Sequence, residues 1–212
     1  MDGDVLINTG RTKYRDEMET WLLNYSIKLI ILTDGYNESI ENAAYFSELY
    51  GAPIAMSRYD IPLIRDNLCR KKYITSTAGK IAELTAGKKK FIAAEPFKPQ
   101  ILAEDGVRLC DMGVEAVLNT AKIITLDGHT RGSIGILDGN DLYCGGALCN
   151  YSGRIGWPYS CESPAAAKRT MKKIAELMPE RIFFTHGVPV MRGSKAYESF
   201  MNSVYIPSER VK

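Results

Sequence analysis

The stretch Thr33-Asp34-Gly35-Tyr36-Asn37-Glu38-Ser39 gathers two carboxylates, a phenol and two hydroxyls into seven residues. It follows the apolar run Leu29-Ile30-Ile31-Leu32 and precedes a helical pattern. A polar turn at the carboxyl end of a strand and the amino end of a helix is where β-α-β units place their chemistry. Plainer readings stand beside the chemical one. Asp34 and Glu38 would each favour the positive helix amino end, and Ser39 could cap that helix. The other groups with chemical potential are His129 and His186, the only histidines in the chain, and five cysteines. Cys144 and Cys149 are candidate nucleophiles beside His129. Nothing in their local sequence lowers a thiol pKa, so a buried strand is the expectation for both.

Positioning the polar turn falls to a β-α-β unit over Lys28 to Asp60, with buried parallel strands at Leu29–Leu32 and Pro53–Met56. Between them Ile40, Ala43, Ala44, Phe46, Ser47 and Tyr50 make one buried helical stripe, ended by Gly51. Upstream, Asp4 to Gly10 reads as a strand and turn, followed by a helix from Lys13 to Tyr25 with Tyr14, Met18, Trp21 and Leu22 at core spacing. Downstream the pattern predicts helix over Ile61 to Arg70 and over the Lys/Gly/Ala-rich Lys71 to Lys90. Strands are expected at Gln100–Leu102, Val107–Leu109 and Glu115–Leu126, with Asp105-Gly106 as the hairpin turn between the first two. Ser163-Pro164 starts a helix that runs to about Met178 and buries Met171, Ile174 and Leu177. A strand and loop over Arg181–Val190 and a helix over Lys195–Val204 complete the chain.

A chain of 212 residues with 45% hydrophobic and 25% charged content is most simply one globular domain. The net charge of +2 steers no particular partner, and the basic clusters Arg70-Lys71-Lys72 and Lys88-Lys89-Lys90 are short and lack interleaved aromatics. No nucleic-acid partner is expected. An odd number of cysteines without CxxC spacing, no signal peptide and no membrane-length apolar run lead to the expectation of a reduced, cytoplasmic protein.

At several points the chain resembles the metallo-β-lactamase-fold hydrolases. Asn8-Thr9-Gly10 is similar to that family's Asp-Thr-Gly, and Thr33 to Ser39 occupies the frame of Thr-His-x-His-x-Asp-His. Gly128-His129-Thr130-Arg131-Gly132-Ser133 resembles Gly-His-Thr-x-Gly-Ser, with Asp127 at the usual proline. Gly145-Gly146-Ala147-Leu148 resembles Gly-Asp-Ala-Leu, and Thr185-His186-Gly187-Val188-Pro189 resembles Gly-His-Gly-x-Pro. The resemblance runs from Val5 to Pro189 in the family's order. It implies an α/β fold, a four-layer αβ/βα sandwich forming a single domain. Family members usually carry one or two further strands where only a few residues precede Val5. The expectation is a fold that lacks them or starts late, leaving a sheet edge near Val5 for a second copy to cover as a homodimer.

The resemblance also implies where metals would sit. One ion would have Asp34, Tyr36 and His129, and the other Glu38, Ser39 and His186, with Gly146 replacing the bridging aspartate. Tyrosine and serine hydroxyls stay protonated at neutral pH and are poor ligands. A two-zinc centre is therefore not expected. The alternatives are no cofactor, or one weakly held transition metal (zinc, manganese or iron) on the vestigial set Asp34, Glu38, His129 and His186. The implied function is a pseudoenzyme, a small-molecule-binding or interaction protein that uses the old cleft. Tyr36, Trp157 and Tyr159 are its ligand-binding candidates, although Trp157 and Tyr159 read equally well as core anchors of a long loop. The alternative is a divergent hydrolase of an ester, thioester or phosphoester through a single altered metal site.

Overall fold

The computed structural model describes residues 4–75, 94–114 and 120–205. The elements run β1 (Val5–Ile7), α1 (Arg15–Leu22), β2 (Leu29–Leu32), α2 (Asn37–Ile40), α3 (Ala43–Tyr50), β3 (Ile54–Met56), α4 (Ile61–Arg65), β4 (Tyr73–Ile74) and β5 (Ile101–Leu102). There follow β6 (Lys122–Thr125), β7 (Ile134–Asp138), β8 (Asp141–Tyr143), β9 (Cys149–Tyr151), β10 (Arg154–Gly156) and β11 (Ser160–Cys161). The last are α5 (Pro164–Leu177), β12 (Arg181–Phe183), β13 (Val190–Met191) and α6 (Lys195–Tyr205). One sheet is parallel throughout, in the order β1-β2-β3-β5. The other is mixed, in the order β13-β12-β8-β7-β6.

Period-two alternation along the parallel strands explains the layering, because successive side chains leave opposite faces of a sheet. Leu6, Ile30, Leu32, Ile54 and Met56 share a cluster with Leu22 of α1, Ile40 of α2 and Phe46 of α3. The intervening residues Val5, Leu29, Ile31 and Ala55 pack instead on Ile123, Ile134 and Ile136 of the second sheet. The far face of that sheet carries Leu142 and Ile182 against Met171 and Ile174 of α5 and Tyr197 and Phe200 of α6. Helices, sheet, sheet, helices: the architecture is the four-layer αβ/βα sandwich. Truncating a side chain such as Phe46, which is fully buried, would cost about 3–5 kcal/mol. No helix among the described residues is long and apolar enough to cross a membrane.

Several local expectations are corrected. The first helix starts only at Arg15, after a 3-10 turn at Thr12–Tyr14, and its inward stripe is Met18 and Leu22. Tyr14 is 48% exposed and Trp21 is 67% exposed, because the turn breaks Tyr14's phase and Trp21 lies about 100° round the axis from Leu22. The helix expected over residues 40–50 is two, broken at Glu41-Asn42. The buried Asn42 carboxamide there donates to the Thr9 carbonyl and accepts from Arg15 Nε. Helix α4 stops at Arg65, where Asn67 folds back to donate to the carbonyls of Leu63 and Gly35.

Asp105-Gly106 does turn, with Gly106 at φ +82°, but it does not close a hairpin between neighbours. Strand β5 pairs parallel to β3, while Val107 and Leu109 bond to Ile123 and Ala121 in the other sheet. That turn hands the chain from one sheet to the next. Tyr73–Ile74 is a strand paired with β11 rather than the start of a helix. The rest of that expected helix, from residue 76, lies outside the described residues, as do 115–119 of the expected strand at Glu115. In α5 the Ser163 hydroxyl caps the helix by accepting from Ala166 N–H, as the Ser-Pro pair implies, but Leu177 is 36% exposed at its end.

Candidate functional site

Strand ends from both sheets converge on one rim. The turn Thr33–Ser39 follows β2, Gly145 and Gly146 follow β8, and His186 follows β12. The segment carrying His129 lies between β6 and β7. Three glycines make the approach possible. A Cβ at Gly128 (φ +129°) would meet Ala167 N at 2.3 Å, one at Gly187 (φ +102°) would meet Asn150 O at 2.2 Å, and one at Gly145 (φ +57°) would meet Thr33 Oγ1 at 2.3 Å.

Around His129 the rim is closed by hydrogen bonds. Asp34 is buried, and its Oδ2 accepts from Thr33 Oγ1 at 3.0 Å and Ser39 Oγ at 2.9 Å. Its Oδ1 accepts from Tyr36 N–H at 3.1 Å. Ser39 is therefore not the helix cap. Helix α2 begins at Asn37, with Tyr36 at the cap position, so Ser39 lies within it and its hydroxyl turns back to Asp34. The Tyr36 phenol donates to Glu162 Oε1 at 3.2 Å, and its ring meets the His129 ring edge-on at 5.0 Å. Burial first, and then the Glu162 carboxylate, push the phenol pKa upward, so Tyr36 stays protonated. Lys72 Nζ lies 3.4 Å from the centre of the same ring. Burial holds the Lys72 amine below its ordinary value, against the opposing pull of Glu38, Glu162 and Asp34.

His129 Nδ1 lies 2.8 Å from Ser160 O. A carbonyl only accepts, so Nδ1 carries the proton and Nε2 is left with the lone pair in the neutral ring. That nitrogen faces the backbone at Gly146. A Cβ built at Gly146 would sit 2.6 Å from both Nε2 and Cδ2, nearly an ångström inside ordinary contact. The imidazole thus fills the space through which a residue-146 carboxylate would have to pass.

Around His186 the rim is open. His186 Nε2 and Glu38 Oε2 are 3.0 Å apart, and both side chains are partly exposed. The mutual hydrogen bond raises the His186 pKa and lowers that of Glu38. Tyr159 approaches the His186 ring at 5.6 Å and the Tyr151 ring at 4.4 Å. Trp157 instead packs against the outer hydrophobic cluster. A cavity of about 620 Å³ begins at Glu38 and His186 and runs between β1, at the edge of its sheet, and the β8 and β12 strands of the other.

Of the four vestigial candidates, the structure pairs Glu38 with His186 and leaves Asp34 and His129 bonded to other groups. Among the described residues no group of three or more His, Cys, Asp or Glu side chains is arranged to hold a metal ion. Cys144 and Cys149 are buried, and burial pushes both thiols up in pKa, against any thiolate role.

Beneath the rim lies a network that sequence reading missed. Asp60 is fully buried and raised in pKa by that burial. Its Oδ2 accepts from Gly35 N at 3.0 Å and Thr130 Oγ1 at 2.5 Å, and its Oδ1 accepts from Gly132 N at 3.0 Å and Arg70 Nη1 at 2.9 Å. Arg70 Nη1 also donates to both Glu162 oxygens at 3.2 Å, and Glu162 Oε2 accepts from Arg131 N at 2.8 Å. The one signal for Asp60 is its place just beyond β3, the third parallel strand. Arg70 and Lys72 stood out in sequence only as part of a short basic cluster, and nothing marked Glu162.

No protein-family model matches the sequence, and no curated protein matches it. Solved structures do. The metallo-beta-lactamase family protein TTHA1429 from Thermus thermophilus superposes with a TM-score of 0.65 at 20% identity, over 95% of this chain and 71% of that one. TTHA1623, solved in a di-iron-bound form, gives 0.63 at 21% identity over 92% and 86%. The archaeal metallo-beta-lactamase superfamily protein ST1585 from Sulfolobus tokodaii gives 0.61 at 18% identity over 94% and 75%.

Proposed function

We propose, for a chain that has the metallo-β-lactamase fold, that it is a pseudoenzyme: a small-molecule-binding protein using the old cleft without a dinuclear metal centre. The observation that carries this reading is the His129 ring lying over Gly146. A pair of metals needs a bridging group between the two sites, and here an imidazole pinned by Ser160 O and Tyr36 takes that space. The residues present do not fit two metals. The Tyr36 phenol is held protonated, Ser39 is committed to Asp34, and Glu38 and His186 are committed to each other. Burial keeps the Cys144 and Cys149 thiols protonated, so neither replaces the metals as a source of reactivity. Five free cysteines among the described residues favour a reducing, cytoplasmic setting.

The test is turnover of simple ester, thioester and phosphoester substrates in buffers supplemented with zinc, manganese or iron. Rates equal to those of buffer alone are expected with each metal. Metal-dependent turnover that disappears in folded His129→Ala or His186→Ala variants would overturn the reading.

A further inference from the structure

The cavity beside His186 has walls of a definite chemistry. Tyr143 of β8 and Phe183 of β12 are register partners, and their rings stack at 4.5 Å with 11° between planes. Stacked on each other, each ring covers one face of its partner, and Ile7 of β1 and Met18 of α1 line the same cavity. All four are only partly buried, and among the described residues no further strand covers the β1 edge of its sheet. Apolar surface left in this state favours an occupant that removes it from water.

The rim has a sign. Arg11 and Lys13 both line the cavity and both are exposed. Arg11 reaches Glu41 at 3.5 Å, while no acidic side chain pairs with Lys13 among the described residues. Glu38, the acidic group on the lining, is already matched by His186. A cation is therefore not what the rim lacks.

We infer that this cavity takes a small organic anion with an apolar, aromatic body. The rings of Tyr143 and Phe183 would receive the body, and Lys13 and Arg11 would face the acidic head. A volume of about 620 Å³ lies within the range of small-molecule sites. The inference rests on the cleft-binding reading above and adds the ligand's charge and shape.

Two probes of nearly equal shape test it: anilinonaphthalene sulfonate and its uncharged counterpart phenylnaphthylamine, titrated by fluorescence and calorimetry into the full chain. The expected result is saturable binding of one sulfonate per chain, tighter than the amine by about tenfold, the size of one or two partly solvated charge contacts. Lys13→Glu, at an exposed position, should abolish or invert that preference. Met18→Trp, which fills the cavity, should weaken both probes. Equal affinities, unaltered by Lys13→Glu but weakened by Met18→Trp, would overturn the anionic class and leave the cleft-binding reading standing. No saturable binding, or binding untouched by Met18→Trp, would overturn both.

Discussion

The two halves of the rim hold their polar side chains in different ways. On the His129 side, Asp34, Ser39, Tyr36 and His129 each have a protein partner, and the imidazole packs onto a backbone without a side chain at Gly146. On the His186 side, one carboxylate and one imidazole pair at the mouth of a cavity, still partly in contact with water. A buried polar group must find a partner inside the protein, whereas one at a cavity mouth can leave part of that task to solvent. The closed half therefore satisfies its polar groups within the protein, and the open half leaves part of that task to solvent.

The largest effect should come from the network under the closed half. Asp60→Ala removes the acceptor for Arg70, Thr130 and the amides of Gly35 and Gly132, and leaves buried donors unpaired. A loss of about 3–5 kcal/mol in urea unfolding is expected, as for breaking a buried ion pair from one side. A loss below about 1 kcal/mol, the range of an exposed ion pair, would mean that this half is not held by its polar contacts.

Next comes the placing of a carboxylate at residue 146. Gly146→Asp should destabilise by about 1–3 kcal/mol through the clash with His129, the cost of overpacking. Combining it with His129→Ala should recover part of that loss. Strict additivity of the two changes would show that the ring is not what fills the space.

The smallest effect belongs to the open half. The folded pKa of His186 is raised above its ordinary 6.5, so its contribution is full below 6.5 and is lost as pH rises through the folded value. Glu38 is lowered from its ordinary 4.5, so its contribution is present above 4.5 and is lost as pH falls through the folded value. The pair should stabilise most between these two pH values, by less than about 1 kcal/mol because both groups are partly exposed. His186→Ala should flatten that part of the urea stability profile. A profile unchanged by the substitution would place the pH dependence elsewhere.

The sheets were legible in sequence because the physics of a buried parallel strand is local: an apolar run such as Leu29–Leu32 between turn signals has few other folds open to it. The rim positions were legible through the ordered landmarks at Asn8, Asp34, His129, Gly146 and His186. The contacts that decide its state were not. Tyr36 and Glu162 are 126 residues apart, and Asp60 and Gly132 are 72 apart, and no spacing rule reports such pairs. Trp21 misled for the opposite reason. Helical spacing marks a residue near the apolar stripe without saying how wide a stripe the neighbouring sheet covers.

Zinc content is the most direct measure of whether the rim holds metals. The protein, saturated with zinc and then passed through gel filtration, should retain well below one zinc per chain by elemental analysis. Two zinc ions retained per chain, and lost together in His129→Ala, would contradict the closed arrangement of Asp34, Tyr36 and His129 described above.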